Sequence, residues 1–349
     1  MSSVDSWDCL TLHGNQKLIY SFAHTDDKSA AFLEILNDAG IDFELSKHDR
    51  TVVRVLGRIT PEVDSKIKAA GIQGSSINLI RHAELPCYDQ ILDRRELTII
   101  AGPCAVESSE QVQAITERLS RLGVKFLRGG AFKPRTKVDS FQGMGTAGLK
   151  ILREQADAHG MFVITEVMDR TQIDTVTEYA DILQVGSRNM YNYTLLTALG
   201  SVNRPVLLKR GMSATLSEWL SAAEYVSRGG NNQILLCERG IRTFEPEFAH
   251  TLDIAALVLA KAKTAYPVIA DTSHASGRTD LVEALALAAI AAGSDGIMIE
   301  VHPEPSKALS DGKQALDLDQ FESLVIRARQ IFAARQSLFN HNSDRDLHE

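Results

Sequence analysis

The sequence predicts an α/β fold: a closed (β/α)8 TIM barrel preceded by an N-terminal ferredoxin-like α+β domain. Three observations predict it. From about residue 98, a short apolar run rich in β-branched residues, a polar turn and a segment of helical periodicity recur eight times. The runs are short and predominantly apolar, as parallel strands buried on both faces are. The first eighty residues follow another order, β-α-β-β-α-β, which is the split arrangement of a ferredoxin-like module.

Taken in order, the N-terminal elements are strand KLIYSFAH, helix DKSAAFLEILNDAG, strands DFELSKH and TVVRVLG, helix TPEVDSKIKAAG and strand SSINLIR. Together they make a domain over residues 1–81. Residues 82–96, HAELPCYDQILDRRE, contain a proline and mixed charges and read as a linker. The barrel spans 97–338, with strands in LTIIAGPC, VKFLRGG, FVITEV, DILQVGS, PVLLKRG, QILLCERG, PVIADTSH and DGIMIEVH. Among the intervening helices, FAHTLDIAALVLAKAK is expected to present Phe248, Leu252, Ala255, Ala256 and Leu259 on one face. Residues 317–336 form the eighth helix, and 339–349 read as a polar tail.

Composition narrows the function. A net charge of −8 over 349 residues argues against a broad nucleic-acid surface or a polybasic membrane patch, so any anion site is local. The start, MSSVDSWDC, has neither the basic run nor the apolar stretch of a signal peptide. The longest apolar run, residues 284–292, is too short to span a bilayer, so a cytoplasmic protein is expected. The four cysteines, at 9, 87, 104 and 237, have no CxxC spacing and read as isolated buried thiols.

Functional groups in a (β/α)8 barrel collect at the C-terminal strand ends. Closure makes strand 8 a neighbour of strand 1, so Cys104, His274, Glu300 and Asp311 come from three adjacent strands. A thiol, an imidazole and two carboxylates are a plausible ligand set for a divalent metal. Spacing alone does not choose between His274 and His302, because Glu300 and His302 are two apart and share a strand face. Singly, each of these residues has a plainer role in packing, hydrogen bonding or ion pairing. Across the mouth stand Arg128, Lys133, Arg135, Arg188, Lys209 and Arg239. Any one of them is most simply a solvated charge or a partner for Glu107, Glu166 or Glu238. Their convergence in an acidic chain favours substrates carrying several negative charges, since arginine forks match phosphate and carboxylate oxygens.

The stretches IIAGPCAVES, FLRGGAFKPRT with SFQGMG after it, ITEVMD, LQVGSRNMYNY, PVLLKRGM, GNNQILLCERGIRTFE, DTSHASGR and DGIMIEVHPEPSKALSDGKQ occur in one order along the chain. With them the sequence resembles the 3-deoxy-D-arabino-heptulosonate-7-phosphate (DAHP) synthases. It is similar in particular to the short-barrel (type I beta) form with an N-terminal ferredoxin-like regulatory domain. The resemblance implies a transferase of the shikimate pathway that condenses phosphoenolpyruvate with D-erythrose 4-phosphate. It also implies a divalent metal, one of Mn, Fe, Co, Zn or Cu, and a homotetramer or homodimer.

Carried over by position, Cys104, His274, Glu300 and Asp311 match the metal ligands, and DTSHASGR selects His274 over His302. Arg128, Lys133, Arg188, Lys209 and Arg239 match the residues that hold phosphoenolpyruvate. Arg135 and Thr136 match the erythrose 4-phosphate contacts. Arg128 and Lys133 are the expected catalytic cations, and the choice between Glu238 and Lys133 as the group directing the attacking water stays open. Departures from the family pattern are Lys137, Val138 and Asp139 after KPRT, Ala105 in place of a common serine and Thr272 in place of a common proline. The competing readings are a 3-deoxy-octulosonate-8-phosphate synthase using arabinose 5-phosphate, which KPRT disfavours, and a non-catalytic amino-acid sensor barrel. In the N-terminal domain, alternation sets Glu44 and Ser46 on one face of DFELSKH. They are the candidate regulatory residues for tyrosine or phenylalanine.

Overall fold

The structure, a computed structural model, describes residues 18–23, 28–41, 43–47, 50–55, 60–70, 72, 92, 95–133 and 139–343. The chain divides into two compact units, 1–83 with 343–349, and 84–342. In the first, β1 (Leu18–Ala23), α1 (Lys28–Asp38), β2 (Phe43–Lys47), β3 (Arg50–Val55) and α2 (Pro61–Ala69) follow one another. The three strands form an antiparallel sheet in the order β1-β3-β2, with Leu18 opposite Val55 and Phe43 opposite the same valine. Phe32 and Leu36 are one helical turn apart on α1 and bury against Val63 and Ile67 of α2 with Ile41 and Ile72. The expected fourth strand, 75–81, lies outside the described residues. So does all of the expected linker, 82–96, except residues 92, 95 and 96.

The second unit is a closed barrel of parallel strands: β4 (Thr98–Gly102), β5 (Phe126–Arg128), β6 (Phe162–Glu166), β7 (Ile182–Val185), β8 (Val206–Lys209), β9 (Ile234–Glu238), β10 (Val268–Asp271) and β11 (Gly296–Glu300). Closure comes from β11 pairing with β4, with Met298 opposite Ile100 and Glu300 opposite Gly102. Each strand lies inside one of the apolar runs identified in the sequence. The helices are α3 (Ser109–Arg121), α4 (Thr146–Ala158), α5 (Ile173–Tyr179), α6 (Tyr193–Leu199), α7 (Leu216–Arg228), α8 (Ile254–Lys263), α9 (Thr272–Ser276), α10 (Thr279–Ala292) and α11 (Leu318–Ser343).

Strand residues alternate between two cores. Ile100, Phe126, Ile164, Ile182, Leu207, Leu235, Cys237, Ile269 and Met298 point inward and fill the barrel, while their neighbours Ile99, Leu127, Leu208, Leu236, Val268 and Ile297 pack outward against the helices. This parity fixes what the strand ends offer. Two residues beyond an inward apolar side chain come Arg128, Glu166, Gln184, Lys209, Arg239, Asp271 and Glu300.

Two expectations are corrected. The helix expected over 248–263 begins at Ile254, because Asp253 caps it by accepting from the Ala256 N–H. Residues ahead of Asp253 belong to a loop closed by the Ile241–Thr251 bridge. The buried face is consequently Ala256, Leu257 and Ala260, while Leu259 is exposed. The final helix continues to Ser343, through 339–343 of the expected polar tail, since neither glycine nor proline follows Gln336 to stop it. Among the described residues no helix is long and apolar enough to cross a membrane.

Candidate active site

At the C-terminal end of the barrel, Cys104, His274, Glu300 and Asp311 each bring a ligand atom within 4.8 Å of the others. Cys104 follows β4, and its Sγ lies 2.9 Å from Asp311 Oδ2 and 3.1 Å from Ser310 Oγ. Burial pushes the Cys104 thiol up to about 12, with Glu300 adding to the rise and Lys133 opposing it. Glu300 ends β11. Its Oε1 accepts from Arg128 Nη1 at 2.8 Å and lies 3.3 Å from His274 Nε2, while its Oε2 accepts from Gln314 at 2.7 Å. Burial alone would raise Glu300, but His274, Arg128 and Lys133 outweigh it and hold the carboxyl below its usual range.

His274 sits on α9, which Asp271 caps. Asp311 holds φ at 54°, in the left-handed region and alone there among the described non-glycine residues. That conformation stores strain of a kind that concentrates at functional sites. Sulfur, nitrogen and oxygen donors at this separation fit a first-row divalent metal. The structure brings together the four residues expected from the sequence. His302 is elsewhere: its Nε2 faces Glu107 at 3.4 Å and its Nδ1 accepts from the Glu304 N–H.

Two of the four, His274 and Asp311, help to line a cavity of about 410 Å³. Arg128, Lys133, Arg188, Lys209 and Arg239 also line it, so five of the expected cations converge on one space. Arg128 and Lys209 are almost wholly buried, and each is anchored by a carboxylate, Glu300 and Asp271. Lys133 Nζ donates to the Cys104 carbonyl and lies 3.0 Å from its Sγ. Gly130 makes that reach possible, since a Cβ there would stand 2.8 Å from Lys133 Cδ and 2.7 Å from the Cys104 carbonyl oxygen. Burial lowers Arg239 from its ordinary value, partly offset by Asp271.

Arg135 and Thr136 lie outside the described residues. Glu44 and Ser46 occupy β2 opposite Arg54 and Val52, and their side chains lie outside what is described. Glu238 is not part of the cavity lining. Its Oε2 accepts from Arg210 at 2.9 Å and its Oε1 from the Gly240 N–H at 2.7 Å, on the outer side of β9. Strand parity explains this: Cys237 and Arg239 point inward, so Glu238 points outward.

Sequence reasoning named Glu166 only as a possible ion-pair partner and missed Gln184 and His250; all three line the cavity, and it also missed Asp271, which anchors Lys209. Counting by two from Ile164, Ile182 and Ile269 would have found Glu166, Gln184 and Asp271. His250 follows no such count, because it lies in the loop after β9. Burial lowers His250 to about 4, helped by Arg239, so the ring is neutral near pH 7.

A sequence model described as the DAHP synthetase I family matches residues 90–336. Over 314 residues, 86% of this chain and 93% of the relative, the sequence is 44% identical to a phospho-2-dehydro-3-deoxyheptonate aldolase of Thermotoga maritima. Over 248 residues, 66% of this chain and 88% of the relative, it is 34% identical to a 2-dehydro-3-deoxyphosphooctonate aldolase of Stenotrophomonas maltophilia. A crystal structure of phospho-2-dehydro-3-deoxyheptonate aldolase (DAHP synthase) from Thermotoga maritima superposes with a TM-score of 0.68 at 40% identity, covering 92% of this chain and 98% of that one. A truncated form of 3-deoxy-D-arabino-heptulosonate 7-phosphate synthase from the same organism gives 0.64 at 50% identity, covering 68% and 87%.

Proposed function

The chain belongs to the DAHP synthetase I family, and from that premise we propose how its residues divide the work of the reaction. The enzyme condenses phosphoenolpyruvate with D-erythrose 4-phosphate and water to give DAHP and inorganic phosphate, the first step of the shikimate pathway. The observation that carries the residue assignment is the convergence of two groups of side chains at the barrel mouth. Four metal-type ligands lie within 4.8 Å of one another, and two of them, His274 and Asp311, line one cavity with five cations.

Arg128, Lys133, Arg188, Lys209 and Arg239 hold the phosphate and carboxylate of phosphoenolpyruvate. Arg135 and Thr136 take the aldose phosphate. Fixing two mutually repelling anions within reacting distance is positioning and electrostatic work. The family is metal-dependent, and Cys104, His274, Glu300 and Asp311 would hold the ion, whose identity among Mn, Fe, Co, Zn and Cu is set by availability. A bound divalent metal supplies Lewis-acid polarisation of the aldose carbonyl. C3 of phosphoenolpyruvate then forms the new bond to the carbonyl carbon, water adds at C2, and the hemiketal phosphate loses phosphate by C–O cleavage. Glu238 is absent from the cavity lining and pairs with Arg210, whereas Lys133 lines the cavity, which supports Lys133 as the group that directs the water.

The N-terminal unit, in this reading, is a ferredoxin-like regulatory domain that binds tyrosine or phenylalanine through the face bearing Glu44 and Ser46. The chain acts in the cytoplasm as a homotetramer or homodimer. A direct test measures phosphate release from phosphoenolpyruvate with erythrose 4-phosphate or arabinose 5-phosphate, after chelation and with metals restored singly. Turnover is expected with the four-carbon aldose and only with metal. Preference for the five-carbon aldose would move the chain toward the octulosonate-forming relatives.

A further inference from the structure

Asp271 has no exposed surface, and both of its carboxylate oxygens lead to residues of the proposed site. Oδ1 accepts from the backbone N–H of His274 at 3.1 Å, which caps α9. Oδ2 lies 2.8 Å from His274 Nδ1 and 2.5 Å from Lys209 Nζ. Capping a short helix requires only the first contact. The second oxygen does something else: it is shared between an imidazole that belongs to the ligand cluster and an ammonium that lines the anion cavity.

We propose that Asp271 is a positioning residue that couples divalent-cation binding to binding of the phosphorylated enol acid. The coupling runs through the shared Oδ2. The Oδ2 charge stands 2.8 Å from Nδ1, off the N–H axis and without a hydrogen bond, so it acts on the ring as a charge. It favours the tautomer protonated at Nδ1 and leaves Nε2, 3.3 Å from Glu300 Oε1, to the ligand cluster. A cation held by His274 would add positive charge to the ring, drawing the carboxylate toward the imidazole and leaving Lys209 freer to meet an anion. The reverse follows by linkage: an anion on Lys209 leaves more of the carboxylate for His274, so each ligand tightens the other by the same factor. The inference rests on the assignment of the ligand cluster and of Lys209 made above.

The test titrates Co2+ into full-length protein with and without saturating phosphoenolpyruvate and no aldose, so that no turnover occurs. The readouts are the Co2+ dissociation constant and the thiolate-to-cobalt absorption band. Wild type is expected to bind Co2+ about tenfold tighter with phosphoenolpyruvate, a coupling in the usual range for linked sites. Asp271→Asn and Asp271→Ser both keep a helix cap. In either, Co2+ alone should bind about 10–100-fold more weakly, as for other residues that orient a metal-bound histidine. The ratio between the two conditions should fall below about twofold. A merely structural aspartate would weaken both titrations and leave the ratio intact, and that result overturns the proposal. A wild-type ratio of one with the thiolate band present overturns it as well. Absence of the band in wild type defeats the assignment of the ligand cluster, and the coupling with it.

Discussion

Glu238 and Arg239 are chain neighbours that face opposite sides of the barrel wall. Arg239 lines the cavity, while Glu238 forms a buried pair with Arg210, which also reaches Asp253 at 2.9 Å. Burial raises the Glu238 carboxyl above its ordinary value, with Arg210 pulling the other way, so the pair is held together by geometry as much as by charge. Glu238→Ala should therefore act on stability. Breaking a buried pair while one charge remains costs about 3–5 kcal/mol, and the lower end applies because Arg210 keeps Asp253. Denaturant titration should show that loss, with turnover changing only a few-fold where the variant is folded. A drop in turnover of a thousandfold in a stable protein would return Glu238 to the chemistry. At this scale residue type at the strand ends pointed to a thiol, an imidazole and two carboxylates on adjacent strands, while the choice of His274 over His302 came only from the resemblance carried by DTSHASGR. Type alone misplaced Glu238 and passed over Asp271, since inward and outward carboxylates read alike until the strand's parity is counted from Cys237 or Ile269.

Among the elements, the loop after β11 has the most to hold in place, because it carries Asp311 in a strained conformation. Glu107, in the loop between β4 and α3, ties it down. Its Oε1 accepts from the Leu309 N–H at 2.9 Å, and its Oε2 faces His302 at 3.4 Å. These contacts bracket the segment between Glu300 and Asp311 at both ends. Glu107→Ala removes them together, so Asp311 should lose its fixed position while Cys104, His274 and Glu300 keep theirs. Metal affinity is then expected to fall about 10–100-fold, the range for residues that orient a ligand without touching the ion. Titration with Mn2+ measures it, and unchanged affinity would show that the loop stands without Glu107. Element boundaries were legible where strands were concerned, because a buried parallel strand has an apolar run with polar ends. They were less legible for α8, where Phe248 and Leu252 continue the apolar period beyond the point at which Asp253 caps the helix. A side-chain cap and a backbone bridge decided that boundary, and periodicity carries neither.

For the whole molecule, the division into units decides what can be removed. The unit 84–342 closes its own sheet and fills it with its own inner core, and it holds the one ligand cluster found among the described residues. The first unit has a separate small core built on Phe32, Leu36, Val63 and Ile67. Eight repeats of one strand-and-helix pattern made the barrel legible from sequence, since closure follows from the count and the adjacency of the first and last strand ends follows from closure. The role of the N-terminal unit has no such arithmetic, because Glu44 and Ser46 read equally well as a solvated strand face. A ligand acting through this unit has to favour one arrangement of the chain over another, which requires differential affinity for the two. Deleting residues 1–81 leaves every residue of the ligand cluster and of the cavity in place. The truncated chain should therefore retain metal-dependent turnover and lose inhibition by tyrosine and phenylalanine, measured beside the full-length chain at matched substrate. Inhibition that persists after the deletion would put the effector site on the barrel. Full-length protein indifferent to both amino acids would remove the regulatory role from Glu44 and Ser46.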